Sequence, residues 1–203
     1  MSSSLFLFET SDWLDIEDGQ LLWRPNFLDQ EQANQVFAAL MHSLAWEQKY
    51  IRMFGQQVLQ PRLQAWYGEE RYHYSGLTME PLPWTPMLKA LKVQCELAAD
   101  TTFNSVLANL YRDGQDSMGW HQDNEAELGS NPIIASLSLG ETRRFVLQHK
   151  VTKQKIEFEL TSGSLLVMGG TTQHFWQHCV PKTAKNKSER INLTYRKIIP
   201  TAI

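Results

Sequence analysis

The first half of the chain carries hydrophobic residues at helical spacing in two places. Segments 29–48 and 85–100 have an apolar residue every three or four positions, which predicts two amphipathic helices. Asp29 is placed to cap the first helix, and Thr85 and Pro86 are placed to begin the second. The positions expected to be buried are Ala33, Val36, Phe37, Leu40 and Leu44 in the first helix and Met87, Leu88, Leu91 and Cys95 in the second.

The second half of the chain changes to short β-rich runs that are separated by Gly, Pro, Asn or Asp. Several short strands after helices favour an antiparallel sandwich or barrel with the helices packed outside, so the expected class is α+β. A short strand and turn are predicted at 20–28, and hairpins and loops at 46–84. We expect one domain over residues 1–203, with 1–102 as an N-terminal extension and 103–203 as the β core.

The composition adds little to the predicted fold class, but it excludes some kinds of protein. The 203 residues are 42% hydrophobic and 20% charged, which is typical of an ordinary globular domain. The net charge of −3 argues against a generally basic surface, so any nucleic-acid binding depends on a local patch. Cys95 and Cys179 form no CxxC pair, and no segment has the roughly 20 apolar residues of a membrane span. We therefore expect an intracellular protein of the cytoplasm, or of the nucleus in a eukaryote, with no membrane partner.

The stretch GWHQDNE contains the first candidate chemistry. His121 and Asp123 are two residues apart, so in a strand both side chains would point to one face. A third ligand is available in TTQHFWQHCVP, as either His174 or His178. Two histidines and one carboxylate with open positions are the ligand set of non-haem Fe(II) oxygenases. A turn histidine and a capping aspartate would give the same letters, so this spacing alone does not establish a metal site.

The last predicted strand, RINLTYR, carries side chains that could bind a small molecule next to that metal. Alternation places its polar side chains on one face and its apolar side chains on the other. The polar set is Arg190, Asn192, Thr194 and Arg196. Because guanidinium binds carboxylate in a bidentate way, this face suits a small dicarboxylate lying along the strand, although an exposed polar face is the plain alternative. Asn109 and Tyr111, also two residues apart, precede His121 by one turn and could add an amide and a phenol.

In this order, NxY, HxD, a distant histidine and RxNxTxR resemble the AlkB family of iron(II)- and 2-oxoglutarate-dependent dioxygenases. PIIASLSLG and RINLTYRK add to the resemblance, which covers residues 46–197 best. It implies a double-stranded β-helix (jelly-roll) core with flanking N-terminal helices and a nucleotide-recognition lid. It also implies Fe(II), 2-oxoglutarate and dioxygen as cofactors and cosubstrates. Cys179 is not a family ligand and is interpreted as a small packing residue.

The resemblance assigns roles to the candidate residues. The implied iron ligands are His121, Asp123 and His178. His178 is preferred to His174 because the family's histidine precedes a short apolar segment and a proline, as in HCVPK. The implied 2-oxoglutarate ligands are Asn109, Tyr111, Arg190, Asn192, Thr194 and Arg196.

The resemblance also implies a substrate-recognition region. MFGQQVLQPR resembles the hairpin of the branch that acts on duplex DNA, where an apolar finger fills the gap left by a flipped base. WYGEERYHYSG resembles the segment that forms the base pocket, in which Tyr74 would stack on the methylated base and His73 would point away. The implied substrate residues are Phe54, Gly55, Gln56, Tyr72, His73, Tyr74, Asn124 and Glu125. Asn124 stands where that branch tends to have aspartate, which leaves adenine and cytosine both open as target bases.

The expected activity is repair of alkylated DNA by a monomer. The enzyme would remove N-methyl groups from 1-methyladenine and 3-methylcytosine and release formaldehyde, succinate and CO2. The alternatives are the same chemistry on RNA, protein or lipid, and a jelly-roll binding module that has lost its iron. Phosphate contacts would come from two basic clusters, for which a solvated charged face is the alternative. They are Lys182, Lys185, Lys187 and Arg190, and Arg143, Arg144, His149 and Lys150.

Overall fold

A computed structural model describes residues 13–53, 56–69, 72–74 and 77–199, without the side chains of 51–53, 72–74 and 77–79. Among these residues, the first half of the chain contains the following elements: β1 (Leu14–Ile16), β2 (Gly19–Arg24), α1 (Gln30–Ser43), β3 (Tyr50–Met53), β4 (Gln56–Leu59), β5 (Leu63–Gly68), β6 (Tyr72–Tyr74), β7 (Leu77–Met79) and α2 (Pro86–Ala99). The second half contains β8 (Ser105–Tyr111), β9 (Met118–His121), β10 (Ile134–Gly140), β11 (Arg143–His149), β12 (Lys155–Leu160), β13 (Leu165–Gly169), α3 (Thr172–Phe175), β14 (Trp176–Val180) and β15 (Arg190–Arg196).

Two antiparallel sheets pack face to face and form the jelly-roll core, as expected for the fold class. The larger sheet has seven strands in the order β1-β2-β13-β10-β15-β8-β5, and the smaller has four in the order β12-β11-β14-β9. Apolar side chains of both sheets, such as Leu107 and Leu166 on the larger and Leu147 and Trp176 on the smaller, form one buried cluster between them. The chemistry-bearing strands β8, β15, β9 and β14 therefore face a common interior.

Both predicted helices are present and cover the outer face of the larger sheet. The carboxylate of Asp29 accepts a hydrogen bond from the N–H of Gln32, and the hydroxyl of Thr85 accepts one from Leu88, so both capping predictions are confirmed. The buried helix positions join the outward-facing residues of the larger sheet in a second apolar cluster. The Tyr195 hydroxyl also donates to the backbone oxygen of Leu88 at 3.0 Å, which fixes α2 against β15.

Strand alternation in β15 follows the predicted pattern. Ile191, Leu193 and Tyr195 are fully buried in the outer apolar cluster beneath the helices. The intervening polar residues consequently face the interior between the sheets. β15 pairs with β10 on one side and β8 on the other, which sets Asn192 opposite both Ser138 and Asn109.

The larger sheet also takes strands from the N-terminal part of the chain. β1, β2 and β5 all precede residue 103, and β5 pairs with β8 so that Gln64 lies opposite Asn109. The segment expected to hold hairpins and loops does contain the two hairpins β3–β4 and β6–β7, but β5 between them is a full sheet strand. No helix among the residues described has the length and apolar character needed to cross a membrane.

Candidate active site

A compact cluster of possible metal ligands lies between the sheets. One ligand atom each from His121, Asp123 and His178 lies within 4.8 Å of the others. His121 ends β9 and lies directly opposite His178 of β14 in the sheet register. Asp123 lies beyond the end of β9, so strand alternation is not what places it. Its backbone N–H instead donates to the buried Gln173 side-chain oxygen at 2.9 Å, which turns the carboxylate toward the two histidines.

The two histidine rings are oriented for binding an ion. Nδ1 of His121 is 2.9 Å from the backbone oxygen of Gly119, so this nitrogen carries the proton and Nε2 keeps a free lone pair. The ring centroids of His121 and His178 are 4.2 Å apart at an interplanar angle of 65°. Nε2 of His178 faces Oδ2 of Asp123 at 3.7 Å. This donor set fits a metal that accepts two imidazoles and one carboxylate and keeps open positions.

Electrostatics keep all three groups in the metal-binding protonation state. Burial, the main cause, lowers the pKa of His121 and lowers that of His178 to about 3, with the neighbouring His121 adding to the effect on His178. Burial alone would raise the pKa of Asp123, but the charge of Arg196 and the two histidines outweigh it and hold that pKa below its usual value. Neutral imidazoles and an ionised carboxylate are the forms that bind divalent metals.

His174 is not part of this cluster. It lies on α3 with an exposed side chain and hydrogen-bonds to the backbone oxygen of Ser130. Of the two histidines that the sequence offered as a third ligand, only His178 reaches the other two groups.

A cavity of about 540 Å³, measured out to its open mouth, extends from the cluster between the sheets. All six residues predicted for the cosubstrate line it: Asn109, Tyr111, Arg190, Asn192, Thr194 and Arg196. Serines of β10 support two of them, because Ser138 accepts from Nη2 of Arg190 at 2.9 Å and Ser136 accepts from Nδ2 of Asn192 at 2.8 Å. The alternating polar residues of β15 thus form one wall of the cavity.

Arg190 is a buried cation that forms no ion pair with any described residue. Its residue is 1% exposed, and neither Nε nor Nη1 has a hydrogen-bond partner among the described residues. Burial lowers the pKa of its guanidinium to about 10, which still leaves it charged at neutral pH. A buried charge is costly unless it is paired. The site therefore fits a ligand that brings a carboxylate to Arg190.

At the other end of β15, Arg196 is committed to the metal cluster. Its Nη2 donates to Oδ1 of Asp123 at 2.6 Å, and both side chains are almost fully buried. The two arginines therefore differ, since Arg190 is free for a ligand anion while Arg196 orients a metal-ligand carboxylate. Both arginines nevertheless line the cavity, so binding of a cosubstrate carboxylate by each of them stays a prediction.

Two site residues were missed from the sequence. Arg62 lines the cavity, and its Nε donates to Oδ1 of Asn109 at 2.8 Å, while Nε2 of Gln64 donates to the same oxygen at 3.2 Å. Because arginine can only donate, the Asn109 atom that faces it is the oxygen, and the Nδ2 amino group remains to donate to a ligand. The alternation of polar and apolar residues in RLQAW, residues 62–66, is the signal that could have indicated a strand here.

The predicted substrate residues are only partly described. Asn124 is exposed and Glu125 is half-buried, directly after the ligand Asp123, and Gln56 is exposed at the start of β4. Phe54 and Gly55 lie outside the described residues. Tyr72, His73 and Tyr74 form β6, but their side chains lie outside the described part of the structure.

Three members of the basic clusters are buried and cannot contact phosphate from the surface, so that expectation is wrong for them. Arg143 is 1% exposed and donates to backbone oxygens, Arg190 lines the cavity, and His149 is buried with Nε2 3.2 Å from a carboxylate oxygen of Asp18. Arg144 is exposed but paired with Glu157. The other members of the two clusters are the exposed Lys150, Lys182 and Lys185 and the partly exposed Lys187, which pairs with Glu141.

A jelly roll with a histidine–aspartate–histidine cluster beside an unpaired buried arginine indicates a metal-dependent oxygenase that binds an organic acid. Comparison with known proteins agrees, because the model of the 2OG-Fe(II) oxygenase superfamily matches residues 20–196. The chain belongs to this superfamily and, within it, to the AlkB family. The cofactors of the superfamily are Fe(II), 2-oxoglutarate and dioxygen.

Relatives with curated descriptions support the narrower assignment. The "Alpha-ketoglutarate-dependent dioxygenase alkB homolog 3" of Bos taurus is 44% identical over 186 residues, which are 87% of this chain and 65% of the relative. The "DNA oxidative demethylase ALKBH2" of Mus musculus is 40% identical over 162 residues, covering 74% of this chain and 67% of the relative. ALKBH2 of Arabidopsis thaliana is 32% identical over 216 residues, covering 92% and 69%. The chain thus spans 65% of the length of its alkB homolog 3 relative.

The fold comparison points the same way. The solved structure of OsALKBH1 aligns with a TM-score of 0.66 over 91% of this chain and all of that one. At 16% sequence identity, this likeness supports the fold alone.

Proposed function

We propose that the chain is a repair dioxygenase that removes N-methyl groups from 1-methyladenine and 3-methylcytosine in DNA. The products would be the repaired base and formaldehyde, with succinate and CO2 from 2-oxoglutarate. The observation that carries the oxygenase part is the buried, unpaired guanidinium of Arg190 in the cavity that also holds the His121, Asp123 and His178 cluster. The choice of DNA as substrate is supported by the relatives named DNA oxidative demethylase.

The residues around the cluster have distinct proposed tasks. His121, Asp123 and His178 hold Fe(II), which supplies the activation of dioxygen at the expense of 2-oxoglutarate. Arg196 keeps Asp123 ionised and turns one of its oxygens toward His178. Fixing the ligands in this way before the metal arrives reduces the reorganisation needed for binding.

The opposite end of the cavity would bind the far carboxylate of 2-oxoglutarate. Nε and Nη1 of Arg190 provide donors, and the Nδ2 amino group of Asn109 provides a further donor because Arg62 and Gln64 occupy its oxygen. Ser138 fixes the guanidinium of Arg190 by accepting from its third nitrogen. With one carboxylate held at this end, the 2-oxo acid end would point toward His121, Asp123 and His178, the residues that would hold the metal.

Apolar side chains protect this chemistry from water. The cavity wall includes Leu107, Met118, Phe145, Met168 and Val180. Their presence beside the polar donors lowers the local dielectric, so each charged contact to the cosubstrate is stronger than it would be in water.

Base recognition is proposed for residues at the edge of the site. Asn124 and Glu125 follow Asp123 directly, so they are close enough in the chain to contact a base whose methyl group reaches the metal. The apolar finger at Phe54 and the base-stacking Tyr74 belong to the same proposal. An amide at Asn124 can both donate and accept, so it suits the exocyclic amino group of either adenine or cytosine.

Turnover on defined oligonucleotides tests this function. Purified protein with Fe(II), ascorbate and 2-oxoglutarate is incubated with 1-methyladenine or 3-methylcytosine in single-stranded DNA, double-stranded DNA and RNA. Formaldehyde release and loss of one methyl group by mass spectrometry are expected on DNA. The variant Asp123→Ala serves as the inactive control and His174→Ala as the matched active control. Turnover on RNA alone would transfer the proposal to that substrate, and no turnover on any strand would overturn it.

A further inference from the structure

Arg143 is a buried cation just outside the cavity wall. It begins β11, is 1% exposed and does not line the cavity. Nη1 donates to the backbone oxygen of Asp113 at 2.8 Å. Nη2 donates to the backbone oxygens of Asp116 at 2.8 Å and Pro181 at 3.0 Å. One side chain thereby joins the connection between β8 and β9 to the segment that follows β14.

Its positive charge has no ion-pair partner among the described residues, although the carboxylates of Asp116, Asp113 and Glu141 lie near enough to favour the charged form. Among the described residues, no carboxylate lies within ion-pair distance of Arg143, although it bonds to the backbone of two aspartates. The carboxylate of Asp116 is taken by Arg112, which reaches its two oxygens at 2.8 and 2.9 Å. Burial lowers the pKa of the Arg143 guanidinium, but an arginine side chain stays protonated in a protein. The guanidinium of Arg143 therefore stays charged next to Tyr111, which lines the cavity.

Tyr111 connects this charge to the cavity. Two guanidiniums lie over its ring, with the central carbon of Arg143 5.6 Å from the ring centroid and that of Arg190 5.1 Å from it. Each contact is a cation–π interaction, so both arginines help to hold the ring in place. Two cations around one buried ring repel each other, and an anion on the cavity side of Arg190 would relieve that repulsion.

We propose that Arg143 is a positioning residue for the cosubstrate. It holds Tyr111 in place and adds positive potential at the end of the cavity that binds the far carboxylate of 2-oxoglutarate. This inference rests on the proposed function of the same site. Arg143 acts through Tyr111 and Arg190 and does not touch the cosubstrate. The guanidinium spreads its three bonds to carbonyls over Nη1 and Nη2 while its central carbon lies over the ring, an arrangement that the point-like ammonium of lysine does not reproduce.

The variants separate charge from shape. Arg143→Lys keeps the charge and loses the planar group, and Arg143→Met loses both. Arg144 is the matched control, because it is the next residue on the same strand but is exposed and paired with Glu157. Arg144→Lys and Arg144→Met therefore change the same atoms without changing the surroundings of Tyr111.

Binding is measured on the full chain loaded with Co(II), which gives a readout independent of turnover. We expect Arg143→Met to weaken 2-oxoglutarate binding by about tenfold, because the cation–π contact that holds Tyr111 and the positive potential beside Arg190 are both lost. Arg143→Lys should fall between Arg143→Met and wild type. Co(II) affinity and the affinity for oxalate, which chelates a metal but has no far carboxylate, should stay within about twofold, as for independent sites. In turnover, KM for 2-oxoglutarate should rise while kcat at saturation changes little.

The results divide as follows. Variants of Arg143 that bind 2-oxoglutarate as wild type does overturn the inference. Equal losses for 2-oxoglutarate, oxalate and Co(II) also overturn it, since they would reveal only general disruption. If Arg143→Met does not fold, Arg143→Lys decides by the same comparison. Wild-type protein that fails to bind 2-oxoglutarate overturns the proposed function and this inference together, whereas failure in the variants alone leaves the proposed function standing.

Discussion

Arg196 and Asp123 form a buried ion pair in which Nη2 of the arginine lies 2.6 Å from Oδ1 of the aspartate. The second oxygen of Asp123 faces Nε2 of His178 at 3.7 Å. One oxygen of the Asp123 carboxylate thus accepts from Arg196, and the other faces the metal cluster. The arginine, which lies in a different sheet from the histidines, fixes the orientation of a proposed metal ligand.

Removing this arginine is expected to destabilise the metal-free protein strongly. Arg196→Met leaves the Asp123 carboxylate buried without its main partner, which costs about 3–5 kcal/mol in the free energy of unfolding. Urea denaturation in the presence of a chelator measures this loss. Adding Asp123→Asn to Arg196→Met should recover part of the stability, because the unpaired charge is then gone. Strictly additive effects of the two substitutions would contradict direct pairing.

Metal affinity is expected to depend little on pH between 8 and 6. The pKa of His178 is lowered to about 3 by burial, so this ring has no proton to lose when a metal binds, and burial lowers the pKa of His121 so that it has less to lose than an ordinary histidine. With ordinary pKa values, two histidines would lower the affinity by more than about tenfold over this range. Co(II) titrations at several pH values should show a change of less than about threefold. Calorimetry in buffers of different ionisation enthalpy should detect almost no proton release at pH 6.5.

The two histidines of TTQHFWQHC should differ sharply in their effect on metal binding. His178→Ala removes one of three clustered ligand atoms, so Co(II) affinity should fall by at least about a hundredfold. His174→Ala removes only a hydrogen bond to the backbone of Ser130 and should leave the affinity unchanged. Comparable losses in both variants would show that the cluster is assembled differently.

Arg62 is expected to matter for cosubstrate binding although it was not foreseen as a site residue. Arg62→Met removes a 2.8 Å bond to Asn109 from a charged donor, which is worth about 1.5–3 kcal/mol. KM for 2-oxoglutarate should therefore rise by roughly tenfold or more. Gln64→Met removes a longer bond of 3.2 Å from a neutral donor to the same oxygen, so its effect should be smaller. Equal effects of the two substitutions, or a larger effect of Gln64→Met, would show that the orientation of Asn109 does not control cosubstrate binding.

Regular strands made much of the core predictable. In β15 the period of two alone put four polar side chains on one face, and the structure lines the cavity with all four. The same rule failed to place Asp123, because β9 ends at His121 and the Asp123 backbone N–H is instead held by a hydrogen bond that it donates to Gln173. A contact between residues 50 positions apart leaves no periodic trace in the sequence.

Burial of charged residues was the second feature that could not be predicted from the sequence. Arg143 and Arg144 are adjacent and identical in the sequence, yet one is fully buried and the other is exposed, since neighbouring residues of a strand face opposite sides. Three carbonyls from two distant connections receive the buried guanidinium. Charge patterning predicted a basic surface for both residues because it does not include those acceptors.

Among the described residues, the last strand in the chain, β15, occupies the middle of the larger sheet between β10 and β8. During synthesis both neighbouring strands leave the ribosome before the strand that joins them, so their inner edges must wait unpaired. A chain cut short before residue 190 would therefore expose two open strand edges and be prone to aggregate, instead of forming a weaker enzyme. The same strand carries Arg190 and Arg196, so closure of the sheet and completion of the cavity are a single late folding event. 2-Oxoglutarate therefore binds only the folded protein.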